Sequence, residues 1–408
     1  MNYRIFSLCA AFLGLNIYAA GTKEVEVLPV SPESFEATAC LIATNSPILQ
    51  SYMLEAESEL ESMREEMSLP APEIEGRHLW GQNGEGNKWG IGVSQSFDWP
   101  GVYTARRRAA GRGADAVEAL RLANYSDKVL EVRQELTSLI GARKRIGLCK
   151  EVKANIDRLA ELINEGYRRG ETTRLDVNKM AIEKLNAEQS LNEALNAEQE
   201  IIARLTALNG GAEPQLDGMT EYPIARLASL EEYEEAAVNN NPQRKYLEAS
   251  LRQREAQLKA EKLSRLPGFS IGYEYENEAG EKFNGISASV SLPFFSGRHR
   301  VKSARLAAEA SELQRKANET DDLWRVRGEY KTASRLGREL SEYGPVVEGT
   351  DNIALLRKAY EGGEMSLIDY LRELTYFTDA RNMYLELEQN YRQALVSLGR
   401  YGTISRPE

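Results

Sequence analysis

Two ten-residue segments gather most of the side chains that could do chemistry: Tyr167–Asp176 (YRRGETTRLD) and Tyr360–Asp369 (YEGGEMSLID). Each sets a tyrosine, a glycine, a hydroxyl or sulfur side chain and a closing aspartate at the same spacing. A carboxylate so placed can attract cations, accept a phenol's hydrogen bond, or simply favour the positive end of a helix dipole. The residues alone leave those readings open. Reaction chemistry is absent elsewhere. His78 and His299 are the two histidines, and they stand far apart. No Cys/His cluster, Ser-His-Asp set or glycine-rich phosphate loop ahead of a suitable helix occurs. The eight methionines are scattered and form no soft-metal ladder. The expectation is a chain that is not an enzyme and has no cofactor and no metal site.

The elements that must position the two segments follow from periodicity. Val102 to Gly170 stays helical without a proline, about 68 residues or roughly 100 Å. Val152, Ile156, Leu159 and Ile163 give it a coiled-coil seam. Gly170 breaks that helix, a threonine cap restarts it, and a return helix is predicted from about Thr173 to Leu208. A second long helix is predicted from Arg298 to about Tyr360, bent near Pro345. A helix over 366–400 closes the chain, with Tyr384, Leu387, Tyr391, Leu395 and Leu398 as its stripe.

Ahead of each long helix lies an alternating segment. Trp89, Ile91, Val93, Gln95, Phe97 and Trp99 share one face, and Ile286, Ala288, Val290 and Leu292 share another, so both read as strands. Weaker strands are predicted at 73–80 and 269–275, with loops at 81–88 and 277–283. Pro100-Gly101 reads as a turn, and Gly297 supplies its counterpart. Helices are predicted from Ser34 to about Met67, interrupted near Pro47, and from Leu230 to about Leu266, broken at Pro242. Gly101 and Gly297 lie 196 residues apart, and Pro47 and Pro242 lie 195 apart. This is an internal duplication, with repeats at 21–215 and 216–408.

Composition narrows the setting. The 408 residues carry a net charge of −11, which disfavours nucleic-acid binding. Residues 1–20 read as a secretory signal peptide: Arg4, an apolar run from Ile5 to Leu15, then a cleavage site near Gly21. Beyond it, no segment has the roughly 18 consecutive apolar residues a membrane helix needs. Cys9 falls too early to carry a lipid anchor, and Cys40 and Cys149 read as two buried free thiols.

Four strands per chain cannot close a barrel, and open edges are not tolerated in lipid. Their alternation, with Trp80, Trp89, Trp99, Phe269 and Tyr273 as outward aromatics, fits a membrane-facing sheet pooled between chains. Three chains give twelve strands, an even number within the range of outer-membrane barrels. The fold class expected is mainly α: a long coiled-coil helical barrel, with four amphipathic strands per chain completing a 12-stranded β-barrel in a trimer.

The duplicated strand–Pro/Gly–helix unit and the paired Tyr-x-x-Gly-x-x-x-x-(Leu/Ile)-Asp turns resemble the TolC family of outer-membrane efflux channels. The length and acidic tone are similar to its shorter, CzcC/CusC-like cation-efflux branch. The resemblance implies a homotrimeric duct with its barrel in outer-membrane lipid and its helical tube in the periplasm. It would dock onto a periplasmic adaptor and an RND-type or ABC-type inner-membrane pump. It also implies site roles. Asp369 matches a position lining the pore constriction, Asp176 is its first-repeat counterpart, and Tyr360 matches a tyrosine that hydrogen-bonds the first-tip aspartate to keep the duct shut. Met365 stands where the family has a latch arginine, and Arg372 replaces a second ring carboxylate. Gly170, Glu171, Thr172, Gly363, Glu364 and Ser366 form the tip surface an adaptor would meet. Arg106, Arg107, Arg108, Arg298 and Arg300 recur at the start of each long helix, where they either sit at lipid headgroups or are simply solvated. Competing readings are a duct for a protein or peptide secretion system and a periplasmic coiled-coil adaptor. Two hairpins and four amphipathic strands argue against the adaptor.

Overall fold

Prolines and short polar side chains mark the helix starts. In the computed structural model, which describes residues 32–65, 67–81, 86–293, 297–348 and 352–401, α1 runs Pro32–Asn45 and α2 runs Pro47–Glu65. The fixed backbone angle of Pro47 suits a first helical position, so the interruption predicted there is a clean break between two helices. The predicted signal peptide and the lead-in after it lie outside the described residues.

Strands β1 (Glu73–Leu79) and β2 (Lys88–Phe97) follow, then α3 (Pro100–Arg169) and α4 (Arg174–Leu208). The chain continues through α5 (Leu230–Asn239), α6 (Pro242–Leu263), β3 (Gly268–Glu278) and β4 (Glu281–Ser291). It ends with α7 (Arg298–Glu348), α8 (Asn352–Glu361) and α9 (Leu367–Leu398), plus a short 3₁₀ turn at Gly399–Tyr401. Three expectations change. Pro100-Gly101 opens α3 rather than forming a separate turn, with the Val102 amide already donating to Trp99 O. The loop predicted at 277–283 is nearly all strand, closed by a two-residue turn at Ala279-Gly280. The single helix predicted from Arg298 to Tyr360 is described as α7 and α8, with Pro345 inside α7.

The chain forms two compact units. One holds residues up to Ser51, Asn124–Asn240 and everything from Leu323 on. Its packing is that of a coiled coil: Met180, Ala187, Ala194 and Ile201 are buried at seven-residue intervals on α4. At the Ile201 end, Leu136, Leu139 and Ile140 of α3 are enclosed with Phe35, Ile42 and Leu205. Replacing either leucine by alanine costs about 2–5 kcal/mol. A second cluster surrounds the seam residues Ile156, Leu159 and Ile163. A third joins Tyr233, Ala236 and Ala237 of α5 to Val326, Ala333 and Leu398. Cys40 and Cys149 are in no disulfide and are half-buried rather than buried.

The other unit holds Tyr52–Ala123 and Asn241–Asp322. Alanines at seven-residue spacing, Ala109, Ala116 and Ala123 on α3 and Ala249 and Ala256 on α6, are buried there. The four strands form one antiparallel sheet in the order β1-β2-β3-β4. Its register pairs Ile74 with Val93, Val93 with Tyr273, and Tyr273 with Ile286. Directly paired residues share a face, so one apolar row crosses all four strands.

Candidate functional site

Both tip segments fold into the same local motif. At the first, the Gly170 amide donates to Tyr167 O and the Glu171 amide to Gly166 O. At the second, Gly363 donates to Tyr360 O and Glu364 to Ala359 O. This is the Schellman helix end, whose glycine must be left-handed; φ is +76° at Gly170 and +73° at Gly363. Thr173 and Ser366 then cap α4 and α9, each hydroxyl accepting from the amide of the aspartate three residues on.

The aspartates are thereby engaged. The Asp176 carboxylate accepts from the Thr173 hydroxyl at 2.6 Å and the Thr173 amide at 3.1 Å. The Thr173 hydroxyl, then its amide, hold the Asp176 carboxyl below its ordinary value. Asp369 accepts from the Ser366 hydroxyl at 2.7 Å and pairs with Arg372 at 3.1 Å on an exposed surface. Tyr360 does not hydrogen-bond Asp176. Its hydroxyl pKa is raised by burial first and by the Asp176 charge second. Met365 packs against the tip cluster.

The tip surfaces differ in chemistry. Glu171 pairs with Arg169 at 3.0 Å, Arg174 lies over the Tyr167 ring, and the Thr172 hydroxyl donates to Ile163 O. At the second tip, Gly363, Glu364 and Ser366 are exposed, and Leu367, which stands where the first tip has Arg174, is buried.

Sequence reasoning missed two residues. Asn155 on α3 and Tyr370 on α9 are buried and joined by a 2.5 Å hydrogen bond inside the tip cluster. The signal was present: Asn155 lies three residues after Val152 and one before Ile156, a polar side chain on the apolar seam. It also missed Lys144, which reaches both Glu221 at 3.0 Å and Glu388 at 3.1 Å and lies over the Tyr222 ring. With Arg143, which donates to Leu216 O and Met219 O, it fastens the 209–229 connector to α3.

Of the arginines near the starts of α3 and α7, Arg106 pairs with Asp98 at 2.8 Å and Arg300 approaches Glu261 at 3.8 Å; Arg107 and Arg108 lie about two turns into α3, and Arg298 is the first residue of α7. In the sheet, Ile74, Ile91, Val93, Ile271, Tyr273, Ile286 and Val290 are all exposed on one face. The opposite face is polar: Lys88 bridges Glu276 and Glu278, and Ser270 bonds Ser289. Among the described residues no group of ligands could hold a metal, and no helix is long and apolar enough to cross a membrane.

A long helical hairpin pair feeding a four-stranded antiparallel sheet defines the fold of TolC-like outer-membrane channels, and solved structures bear that out. The chain superposes on the open-state MtrE outer membrane channel of Neisseria gonorrhoeae with a TM-score of 0.72, at 14% identity, covering 94% of this chain and 93% of that one. With the CmeC outer membrane channel of Campylobacter jejuni the TM-score is 0.68 at 15% identity, covering 97% and 95%. The outer membrane efflux protein family matches residues 54–211. The cobalt-zinc-cadmium resistance protein CzcC of Cupriavidus metallidurans is 25% identical over 95% of this chain and 96% of its own length. The chain is thus similar to outer membrane efflux proteins across residues 54–211 and to CzcC across nearly its whole length, and it shares the fold of the solved outer-membrane channels.

Proposed function

We propose that this chain is the exit duct of a tripartite efflux system, conducting cargo passively across the periplasm and outer membrane. The observation that carries the reading is the sheet's unpartnered apolar face, with Ile286 82% and Ile74 73% exposed. A lone sheet in water would hide such a face; a lipid-facing barrel wall requires it. Three copies tile twelve strands, two from each repeat of each chain. At 1.5 Å per residue the 70-residue α3 is about 105 Å long, enough to reach deep into the periplasm. Exposed apolar residues on α4 (Leu175, Ile182, Leu185) and α9 (Ile368, Tyr376, Met383) supply surfaces for neighbouring copies.

In this assembly the tips face a periplasmic adaptor, which meets Gly170, Glu171, Thr172, Gly363, Glu364 and Ser366. Asp369 and Asp176 line the constriction, where carboxylates from three chains attract cations. Tyr360, with Asp176, contributes to closure. The arginines opening α3 and α7 sit at the periplasmic headgroups and set the barrel's depth. The two repeats divide the mature chain at about residue 215. The length-wide similarity to CzcC favours metal cations over peptides as cargo.

The test is the mass and shape of the detergent-extracted protein, by light scattering and negative-stain microscopy. Three chains in a cylinder well over 100 Å long are expected. A compact, water-soluble monomer overturns the duct.

A further inference from the structure

Three side chains form a continuous line through the tip, from α8, α9 and α3. The Tyr360 ring packs on Tyr370 of α9, centroids 5.6 Å apart at 60°. Tyr370 is hydrogen-bonded to Asn155 of α3. The surface end of this line has no hydrogen bond between Tyr360 and Asp176, whose carboxylate is occupied by Thr173. The buried end does.

Burial decides which end constrains the tip. Tyr370 is 1% and Asn155 5% exposed, among Ile156, Leu159, Met180, Leu367 and Leu374. Apolar contacts such as these can be exchanged for others when a helix slides or rotates. A hydrogen bond in a dry core has no such substitute, because parting its two groups leaves each unsatisfied. The pair therefore holds α9 against α3 in one register.

We propose that the Asn155–Tyr370 hydrogen bond is the lock that keeps the tip in its resting arrangement, in place of a surface tyrosine–aspartate bond. Opening the tip means drawing α9 away from α3, and the step that resists it is the loss of this bond. The proposal rests on the duct reading.

The experiment is single-channel recording of the purified full-length protein in planar bilayers, with thermal melting run in parallel. Tyr370→Phe removes only the hydroxyl, and Asn155→Leu removes the amide at similar volume. Each is expected to raise mean conductance at least twofold. The double variant separates locking from simple stability. With both polar groups gone, its melting temperature returns towards the unsubstituted protein, while its conductance stays raised. Channels with unaltered conductance in Asn155→Leu and in the double variant overturn the lock and leave the duct standing. Conductance that returns to normal together with the melting temperature in the double variant also overturns it, since the bond would then be structural only. If the unsubstituted protein forms no channel at all, the duct reading fails, and the lock with it.

Discussion

Replacing Ile286 by lysine tests whether the sheet meets lipid, and its effect can be worked out beforehand. Ile286 is the sixth of the eleven residues of β4. A strand of that length spans about 36 Å, or about 25 Å of membrane depth when tilted by about 45°. Its middle residue therefore falls near the bilayer midplane. Lysine there costs about 2–4 kcal/mol, and three symmetry-related copies about 6–12 kcal/mol, a factor of roughly 10⁴–10⁹ in assembly. The isolated chain loses almost nothing, because the side chain is 82% exposed. Ser287→Lys, one residue on, points to the polar face opposite Gly272 and is the matched control. The assay is sucrose-gradient separation of membranes with immunoblotting, scored for outer-membrane trimer. Ile286→Lys should be lost from that fraction and Ser287→Lys retained. Equal recovery of both, or loss of the serine variant alone, refutes the argument about which face meets lipid.

Three other outcomes follow from local geometry. Gly170→Ala and Gly363→Ala each put a side chain on a left-handed residue with open space around it, so each should cost about 1–2 kcal/mol from the backbone alone and lower the melting temperature; an asparagine at either site should recover part of the loss. Ala279 takes φ of +51° in the two-residue β3–β4 turn, so Ala279→Gly or Ala279→Asn should stabilise by about 1 kcal/mol, read as a raised melting temperature in detergent. Asp176→Ala removes a capping-box partner and should cost about 1 kcal/mol. The Asp176 carboxyl is held below its unfolded value, near 3.9, so the folded chain takes up that proton last. The contribution is therefore complete at neutral pH and is lost as the pH falls from about 4 through the lower folded value. Melting curves of the two proteins should converge over that acid range.

Much of this was legible in the sequence because long amphipathic elements repeat their signal many times. The unbroken run after Val102 could only be one helix, and Ile156, Leu159 and Ile163 are buried as their spacing required. The alternation of Trp89, Ile91 and Val93 likewise survives as a single exposed face. What escaped were features made by few residues. Residues 277–283 read as loop, yet Asn277 and Glu278 pair with Lys282 and Glu281, because a hairpin end in water tolerates charge on both faces. Pro100-Gly101 read as a turn because proline suits both a turn and a first helical position. The tip aspartates were placed correctly on their helix starts, but their hydrogen bonds depend on rotamers that spacing does not encode. The Asn155–Tyr370 bond joins residues 215 apart in the chain, and only the fold brings them together.

One half of the sheet's polar face carries charged side chains, with Glu276 and Glu274 lying over Gly90 and Gly92; the other half is lined by very small ones: Ser94 and Ser96 on β2, Ser270 and Gly272 on β3, Ser287 and Ser289 on β4. Neighbours already crowd these positions, since a methyl group on Gly272 would meet the Ser287 hydroxyl at 2.7 Å and main chain at 3.0 Å. In the proposed barrel, that stretch of wall is set by backbone and hydroxyls rather than by protruding groups, so a solute passing it keeps its hydration. Discrimination between solutes then falls to other parts of the proposed duct, and this stretch works as a spillway.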